Sequence, residues 1–349
     1  MALSNETQPF VWGSELLGRG ESTMADTVVG VSITVVTKSV LSGRSTYELG
    51  LQFSTLSVAV GLLSLYIVYK LPIFHNAFGA FWVSRTVGEI GANFIHVVYS
   101  GPVTLLQPKD INPLFGIVSY MVCVYFAEIA CSMHQYVSLN RMLAVCAPLK
   151  YKTLFTRRIT TTIIVVTTVQ VTSIMGLYFL FPCNWIGYGP QYYEFIFVKC
   201  GENERDWSPL GTFLNRGCTA LCVVSLLMDC VTFYKIIKIR VTNKSAAQDE
   251  AFRRNVRFFA QTAVQNISMM LALAVIVIVN NERSFGKAVL YATTFDARIL
   301  TYLNNGLSII LFNPEVRKFL GLRFCCGTKR SHQVGSTNAG LETSMMDTH

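Results

Sequence analysis

The chain has 349 residues, of which 52% are hydrophobic and only 14% are charged. Because a soluble domain carries about 25% charged residues, this composition indicates a membrane protein. The formal charge of +9 does not indicate nucleic-acid binding, because the cations lie between apolar blocks and are not interleaved with aromatic residues on a soluble domain.

Seven apolar stretches are each long enough to cross a hydrocarbon core about 30 Å thick, which takes about 20 residues of α-helix. In chain order they cover residues 49–69, 78–106, 112–140, 159–181, 210–237, 258–281 and 288–312. A shorter apolar run at residues 27–37 cannot span and is expected to be strand-like or interfacial. The sequence therefore predicts an all-α membrane protein with one seven-helix bundle (47–320), a preceding segment (1–46) and a tail (321–349).

The positions of lysine and arginine orient this bundle. Cytoplasmic loops are enriched in both residue types, and placing the amino terminus outside puts more than twice as many of them on the cytoplasmic side as on the outer side. One predicted cytoplasmic loop alone contributes Arg141, Lys150, Lys152, Arg157 and Arg158. Segment 1–46 is then extracellular, the tail is cytoplasmic, and Asn5 in Asn5-Glu6-Thr7 is a predicted glycosylation site.

Ionisable residues inside a span are costly and usually face the bundle interior. Arg85 and Glu89 are four residues apart on one helical face, so they are expected to neutralise each other. Further polar residues inside the spans are Glu128, Asp229, Asn304 and Asn305. They are expected either to form a polar network that differs between two packings of the helices or to be simple hydrogen-bonding contacts between helices.

The sequence contains no metal-binding cluster, phosphate loop or nucleophile elbow, so no enzymatic activity, metal or cofactor is predicted. His134 lies in the inner half of the third span and is expected to be a core histidine rather than a metal ligand.

Four short motifs lie at the ends of predicted spans. They are Phe78-Gly79, Leu139-Asn140-Arg141, Arg257-Phe258-Phe259-Ala260-Gln261 and Phe312-Asn313-Pro314. The second and fourth look like the arginine motif of the third helix and the Asn-Pro motif of the seventh helix in rhodopsin-like G-protein-coupled receptors. Together, the four motifs resemble the nematode serpentine chemoreceptors of the Srx type, over roughly residues 48–320.

This resemblance implies a G-protein-coupled chemosensory receptor that binds a small external molecule between its helix ends and activates a heterotrimeric G protein. Arg141, with Arg254 and Arg257, is then expected to contact the G protein; the alternative for each cation is a simple anchor at the inner membrane surface. The conformational-switch residues that the resemblance implies are Asn140, Arg141, Asn313, Pro314 and Glu128. Asn140 replaces the family's acidic residue, so the ion pair that restrains the arginine in many receptors is missing.

A multi-span transporter or ion channel is the alternative function, because charged residues inside spans also mark ion paths. The paired broken spans that many transporters show are not found in this sequence.

Candidate ligand contacts follow from depth in the outer half of the bundle. They are His96, Tyr99, Tyr120, Cys123, Tyr291, Phe295, Asp296 and Arg298. For the aromatic members, ordinary core packing is the alternative role.

Two pairs of cysteines carry further predictions. Cys183 and Cys200 bracket a polar outer loop and are expected to close it by a disulfide bond, with two free thiols as the alternative. Cys325 and Cys326 in the tail are expected to be palmitoylated, or else to be unmodified thiols. The hydroxyl-rich tail is expected either to recruit an arrestin-like regulator or to have no such role. The resemblance further implies multi-pass localisation in the plasma membrane, in sensory cilia of neurons.

Overall fold

The computed structural model describes residues 16–23, 26–27, 29, 53–181, 183–198, 207–242, 250–281 and 288–321. Within these residues, the bundle consists of seven long helices: α1 (Phe53–Lys70), α2 (Ala77–Ile95), α3 (Pro113–Cys146), α4 (Arg157–Leu180), α5 (Pro209–Thr242), α6 (Glu250–Asn281) and α7 (Ala288–Phe312). A short helix, α8 (Pro314–Phe319), follows α7. A 3₁₀ turn (Pro72–Phe74) precedes α2, and one further short helix (Pro148–Leu154) precedes α4. Each of the seven predicted spans therefore corresponds to a helix.

The outer surface of the bundle has the character of a lipid-facing surface. Among the described residues, the helices α1, α3, α4 and α5 are long and apolar enough to cross a membrane by length and composition. On α4, for example, Val165, Val166 and Val169 are all exposed. Exposed apolar side chains are unfavourable in water but suit contact with lipid tails, so this surface agrees with the predicted class of membrane protein.

Three helices, α3, α5 and α6, extend five residues or more beyond the predicted spans, and α5 continues to Thr242. The third span was predicted to close at Arg141, which is wrong for the helix, because α3 continues to Cys146 and stops just before Pro148. Proline disfavours helical backbone in the residue before it, and nothing earlier in this stretch breaks the helix. Similarly, α6 begins at Glu250, before the predicted start at Phe258. The length of an apolar stretch reflects the thickness of the hydrocarbon core, whereas a helix can continue beyond it into polar surroundings.

The second predicted span is one continuous rod with an irregular turn. After α2, the chain passes through a π-helical turn (His96–Ser100) and a final α-helical stretch (Gly101–Leu106). The rod ends at Gln107, whose left-handed backbone (φ 45°) turns the chain towards α3. A π-helical turn inserts an extra residue and rotates the side chains beyond it relative to those before it.

An outer cap covers one end of the bundle, which we call the outer end. It consists of residues 16–23, 26–27 and 29 and a hairpin of two antiparallel strands, β1 (Ile186–Gly189) and β2 (Glu194–Phe197). Tyr188 of the hairpin is fully buried, and its hydroxyl lies 2.6 Å from that of Thr104. Leu16 packs on Ile117 of α3. Within the predicted strand-like run, the described residues Thr27 and Val29 are instead helical.

An apolar core fills the other end, which we call the inner end. It joins α1, α2, α3, α6 and α7 through side chains such as Ile67, Phe78, Met133, Phe258 and Ile309. Several buried polar residues of the bundle, among them Arg85, Glu89 and Asn266, lie between this core and the outer cap.

Gly88 allows α2 to approach α3 closely. A β-carbon at Gly88 would lie 2.6 Å from the carbonyl oxygen of Phe126 and 3.0 Å from the nitrogen of Ala130. We therefore expect Gly88→Ala to lower the free energy of unfolding by about 1–3 kcal/mol, because the backbones have to separate. Thermal unfolding of detergent-solubilised protein measures this effect.

Gly176 on α4 provides the matched control. Nothing lies within 4 Å of the position that its β-carbon would take, and alanine favours a helix over glycine. Gly176→Ala should therefore keep or raise the unfolding midpoint. An equal loss in both variants would contradict the role of Gly88 in helix packing.

Candidate functional site

A cavity of about 950 Å³ lies inside the bundle, beneath the hairpin. Side chains from α2, α3, α5, α6 and α7 line it, and on α3 the lining extends from Tyr120 to His134. The 14 residue-to-residue steps from Tyr120 to His134 correspond to about 21 Å of helix at 1.5 Å per step, so the cavity reaches the middle of the bundle. Its volume is in the range of sites that hold small molecules.

The hairpin forms part of the cavity wall at the outer end. Phe195 and Phe197 line the cavity together with Glu194 and with Arg298 of α7. Burial raises the pKa of Glu194, and the nearby charge of Arg298 opposes this effect without cancelling it. The cavity therefore combines aromatic surface with charged groups of both signs at its outer end.

The structure places only some of the predicted ligand contacts in the cavity wall. Tyr120 and Arg298 line the cavity. His96 and Cys123 instead contact each other, with Nε2 and Sγ 3.6 Å apart, and Tyr99 packs edge-on against Tyr188 of the hairpin. The side chains of Tyr291, Phe295 and Asp296 on α7 lie outside the described part.

A first polar network forms the inner wall of the cavity and joins α2, α6 and α7. The predicted neutralisation of Arg85 by Glu89 is confirmed, because Nε donates to Oε1 at 2.8 Å. Arg85 also donates from Nη1 to Oε1 of Gln265 on α6 at 2.8 Å, and Asn305 of α7 donates to Oε1 of Glu89 at 2.7 Å. Gln265 in turn donates to the hydroxyl of Ser308 on α7. The two buried charges therefore have partners on three helices.

A second polar network joins α3, α5 and α6 through Asn266. Its side-chain nitrogen donates to the carboxylate of Asp229 on α5 and to the hydroxyl of Ser138 on α3. Its side-chain oxygen therefore faces Nε2 of His134, which must carry the proton of this hydrogen bond. His134 is thus a hydrogen-bonded core histidine, as predicted.

The networks meet on α6, because Gln265 and Asn266 are consecutive. The sequence identified Asp229 and Asn305 as polar groups inside spans, and both hydrogen-bond across helices. It did not identify Gln265 or Asn266 as members of a network. The available signal was the pair of adjacent amides inside the uncharged stretch 258–281, away from its ends.

A group of three side chains, which we call the inner latch, lies nearer the inner end of the bundle than the two polar networks. It consists of Arg141 on α3, Phe78 on α2 and Phe258 on α6. The guanidinium carbon of Arg141 lies 3.4 Å from the ring centroid of Phe78 and 4.1 Å from that of Phe258, and the residue is only 6% exposed. Desolvated cation–π contacts contribute about 2 kcal/mol or more. The latch therefore holds α2, α3 and α6 together over the arginine.

The other predicted switch residues lie near this end or along the cavity. Asn140 contacts the hydroxyl of Tyr151 at 3.5 Å, in the short helix after α3. Asn313 caps α8 by accepting from the backbone of Glu315 at 3.0 Å, and Pro314 occupies the first turn. Glu128 lines the cavity.

Several predictions concern residues outside the described part. These residues are Asn5, Cys200, Cys325 and Cys326, together with the side chain of Arg254. Cys183 is disulfide-bonded, but its pairing with Cys200 stays a prediction.

Asp26 anchors the amino-terminal part of the outer cap to the bundle. It is fully buried and accepts from the backbone and hydroxyl of Thr23 at 2.6 Å, from Tyr193 at 2.7 Å and from Gln107 at 2.9 Å. Arg19 forms an ion pair with the same carboxylate. Burial alone would raise the pKa of Asp26, but these hydrogen bonds and the charge of Arg19 outweigh burial and lower it.

We expect Asp26→Asn to loosen this part of the cap. Hydrogen bonds to a charged group contribute about 1.5–3 kcal/mol each, and an amide replaces only part of them. Since the pKa of Asp26 is lowered, its stabilisation is complete above the ordinary aspartate pKa of about 3.9 and is lost as the pH falls through the lower folded value. In the variant, the hydrogen-exchange rate of residues 16–23 should therefore already be raised at neutral pH. In the unchanged protein, the same rate should rise only in acid.

Glu21→Gln is the control, because Glu21 is an exposed carboxylate in the same segment. Equal protection in the unchanged protein and the Asp26 variant would contradict the anchoring role.

Residues 52–313 match the family model described as serpentine type 7TM GPCR chemoreceptor Srx. The match covers about three quarters of the chain and agrees with the resemblance that the span-end motifs indicated. None of the curated proteins matches the chain. The chain is therefore a member of the Srx family of serpentine, seven-transmembrane chemoreceptors of the G-protein-coupled receptor type.

Proposed function

We propose that this chemoreceptor binds a small external molecule in the cavity and activates a heterotrimeric G protein at the inner end, with its amino terminus outside the cell. The observation that carries the proposal is that residues of the cavity wall also hold α6. Arg85, Glu89, His134 and Asn305 line the cavity and belong to the two polar networks that bind Gln265 and Asn266. A ligand that competes for these groups changes how firmly α6 is held.

The chemistry of the wall suggests a small molecule with a polar head and an apolar or aromatic body. Nη2 of Arg85 and Nδ1 of His134 find no hydrogen-bond partner among the described residues. The first is a donor, and the second is an acceptor because Nε2 carries the proton of the neutral ring. A ligand head group that both accepts and donates therefore fits this depth, while Tyr120 and Phe195 offer aromatic surface nearer the hairpin.

Coupling to the G protein follows from the inner latch. In the proposed resting arrangement, Phe258 holds Arg141 between α2 and α6. Ligand binding favours a second arrangement in which α6 leaves this position, and the population shifts by the difference in ligand affinity between the two. The planar donor fork of Arg141 then becomes available to carbonyl groups of the G protein. Arg257, which directly precedes Phe258 in the sequence, offers a second cation.

Further parts of this proposal concern regulation and location. They are an arrestin-like regulator acting on the tail, palmitoylation at Cys325 and Cys326, and residence in the plasma membrane of sensory cilia.

The proposal predicts that Arg141→Ala loses ligand-dependent nucleotide exchange on the G-protein α subunit. Hydrogen bonds from a charged group contribute about 1.5–3 kcal/mol, which corresponds to about a 10- to 160-fold loss of exchange rate. The assay compares purified receptor in lipid with a panel of α subunits and a pool of small molecules. Arg158→Ala is the control, because Arg158 is an exposed cation at the inner end of α4.

Full exchange by the Arg141 variant would contradict the coupling role. Ion flux through receptor-containing vesicles, without exchange for any ligand or α subunit, would instead favour the transporter or channel.

A further inference from the structure

Three cysteine side chains converge where α3 meets α5, within the membrane-spanning part of the bundle. Cys218 and Cys222 are four residues apart and therefore share one face of α5, opposite Cys131 of α3. The three sulfur atoms all lie within 4.8 Å of one another. Those of Cys131 and Cys218 are 2.8 Å apart, which exceeds the disulfide bond length of about 2.05 Å. All three cysteines are free thiols.

We propose that Cys131, Cys218 and Cys222 bind one zinc-like divalent cation through three thiolate sulfur atoms. A zinc–sulfur bond of about 2.3 Å places the sulfur atoms of a tetrahedral site about 3.8 Å apart. That separation lies within the 4.8 Å that the cluster spans. Binding therefore requires the sulfur atoms of Cys131 and Cys218 to move apart by about 1 Å.

The cluster is accessible from the cavity. Cys131 and Cys218 line the cavity wall, whereas Cys222 is buried beside them. Zinc sites with three protein ligands keep a fourth position for water or another small ligand. In this site, the fourth position is left to water from the cavity.

The charge and proton balance of the site also favours a divalent cation. Three thiols lose three protons when the three metal–sulfur bonds form, and these protons leave through the cavity. The bound cation and three thiolates together carry one net negative charge. Arg85, Arg216 and Arg298 line the same cavity and provide compensating positive charge.

The rival interpretation is that these cysteines are small apolar side chains. That role is common for a buried thiol, and it suits Cys123, Cys146 and Cys230, the other free cysteines among the described residues, none of which belongs to the cluster. Packing alone does not require three thiols from two helices at one point. Three convergent soft ligands are instead the set that a thiophilic cation selects.

Metal binding to the purified, reduced, full-length receptor in lipid tests the proposal. Cadmium serves as the zinc probe because its thiolate complexes absorb in the ultraviolet. We expect saturable binding of about one cadmium ion per receptor. We also expect X-ray absorption of the zinc-loaded receptor to show about three sulfur ligands near 2.3 Å. This second measurement needs no variant, so it remains decisive if a substituted receptor fails to fold.

Single-site variants then assign the ligands. Cys131→Ser, Cys218→Ser and Cys222→Ser should each weaken cadmium binding by about tenfold or more. The controls are Cys146→Ser on α3 and Cys230→Ser on α5, which should bind as the unchanged receptor does. The proposal would be overturned if the receptor bound no cadmium or if all variants bound it equally. It would also be overturned by a zinc site without sulfur ligands or by a Cys131–Cys218 disulfide in the native receptor.

Discussion

Replacing Glu89 with alanine is expected to prevent folded receptor from accumulating. Arg85 is 1% exposed and Glu89 is 6% exposed, so the change leaves a guanidinium charge inside the bundle without its carboxylate. Removing one partner of a buried pair costs about 3–5 kcal/mol, a large part of a typical stability of about 5–15 kcal/mol. Asn305 also loses its acceptor. The measurements are surface expression and the thermal unfolding midpoint in detergent.

Two further variants show whether the charge is the cause. Glu89→Gln keeps an acceptor for Asn305 but not the negative charge, so its midpoint should lie between those of the alanine variant and the unchanged receptor. The double variant Arg85→Leu/Glu89→Leu removes both charges and should recover much of the loss, because a buried pair and an apolar pair of similar volume are often equally stable. A double variant less stable than Glu89→Ala would contradict this account.

Replacing Asn266 with alanine is expected to raise nucleotide exchange in the absence of ligand. This prediction rests on the proposed resting arrangement, in which Asn266 binds α6 to Asp229 on α5 and to His134 on α3. Losing a hydrogen bond to a charged group costs about 1.5–3 kcal/mol. The equilibrium should therefore shift away from the resting arrangement by about tenfold or more. Basal exchange on the matching α subunit measures the shift.

Thr262→Ala is the control for this second prediction. Thr262 is also buried on α6, but its hydroxyl donates to backbone carbonyls of its own helix, at Phe258 and Phe259. Basal exchange should therefore stay low in that variant. An equal rise in both variants, or no rise in the Asn266 variant, would argue against a restraining role for the second polar network.

Contacts within one helix were predictable from the sequence, but contacts between helices were not. The pairing of Arg85 with Glu89 follows from their spacing of four residues, which fixes a shared face whatever the tertiary structure. The third partner, Gln265, is 180 residues from Arg85 in sequence. Its position depends on how α2 and α6 pack, and a single sequence does not contain that information.

The same limit explains the predicted ligand contacts. Distance along a helix gives depth, and Tyr120 and Arg298 accordingly lie in the cavity wall. Depth does not give the direction of a side chain around the helix axis. His96 lies at the start of the π-helical turn, where the faces rotate, and its ring contacts Cys123 of α3.

The outer cap was beyond prediction for a different reason. Each strand of the hairpin has only four residues, and β1 contains two glycines, so neither strand has a clear periodic pattern. Contacts distant in sequence determine its position, such as that of Tyr188 with Thr104. The disulfide-bonded Cys183 lies just before it.

The adjacency of Gln265 and Asn266 has a consequence for detection. Since one residue binds α2 and α7 while the next binds α3 and α5, α6 cannot release one set of partners by a small displacement without straining the other. If the structure corresponds to the proposed resting arrangement, G-protein activation in the absence of ligand is then expected to be rare. The apparent dissociation constant, however, equals the intrinsic constant divided by the fraction of receptors already able to bind. In that arrangement, these two neighbouring amides therefore favour low activity without ligand over a high apparent affinity for ligand.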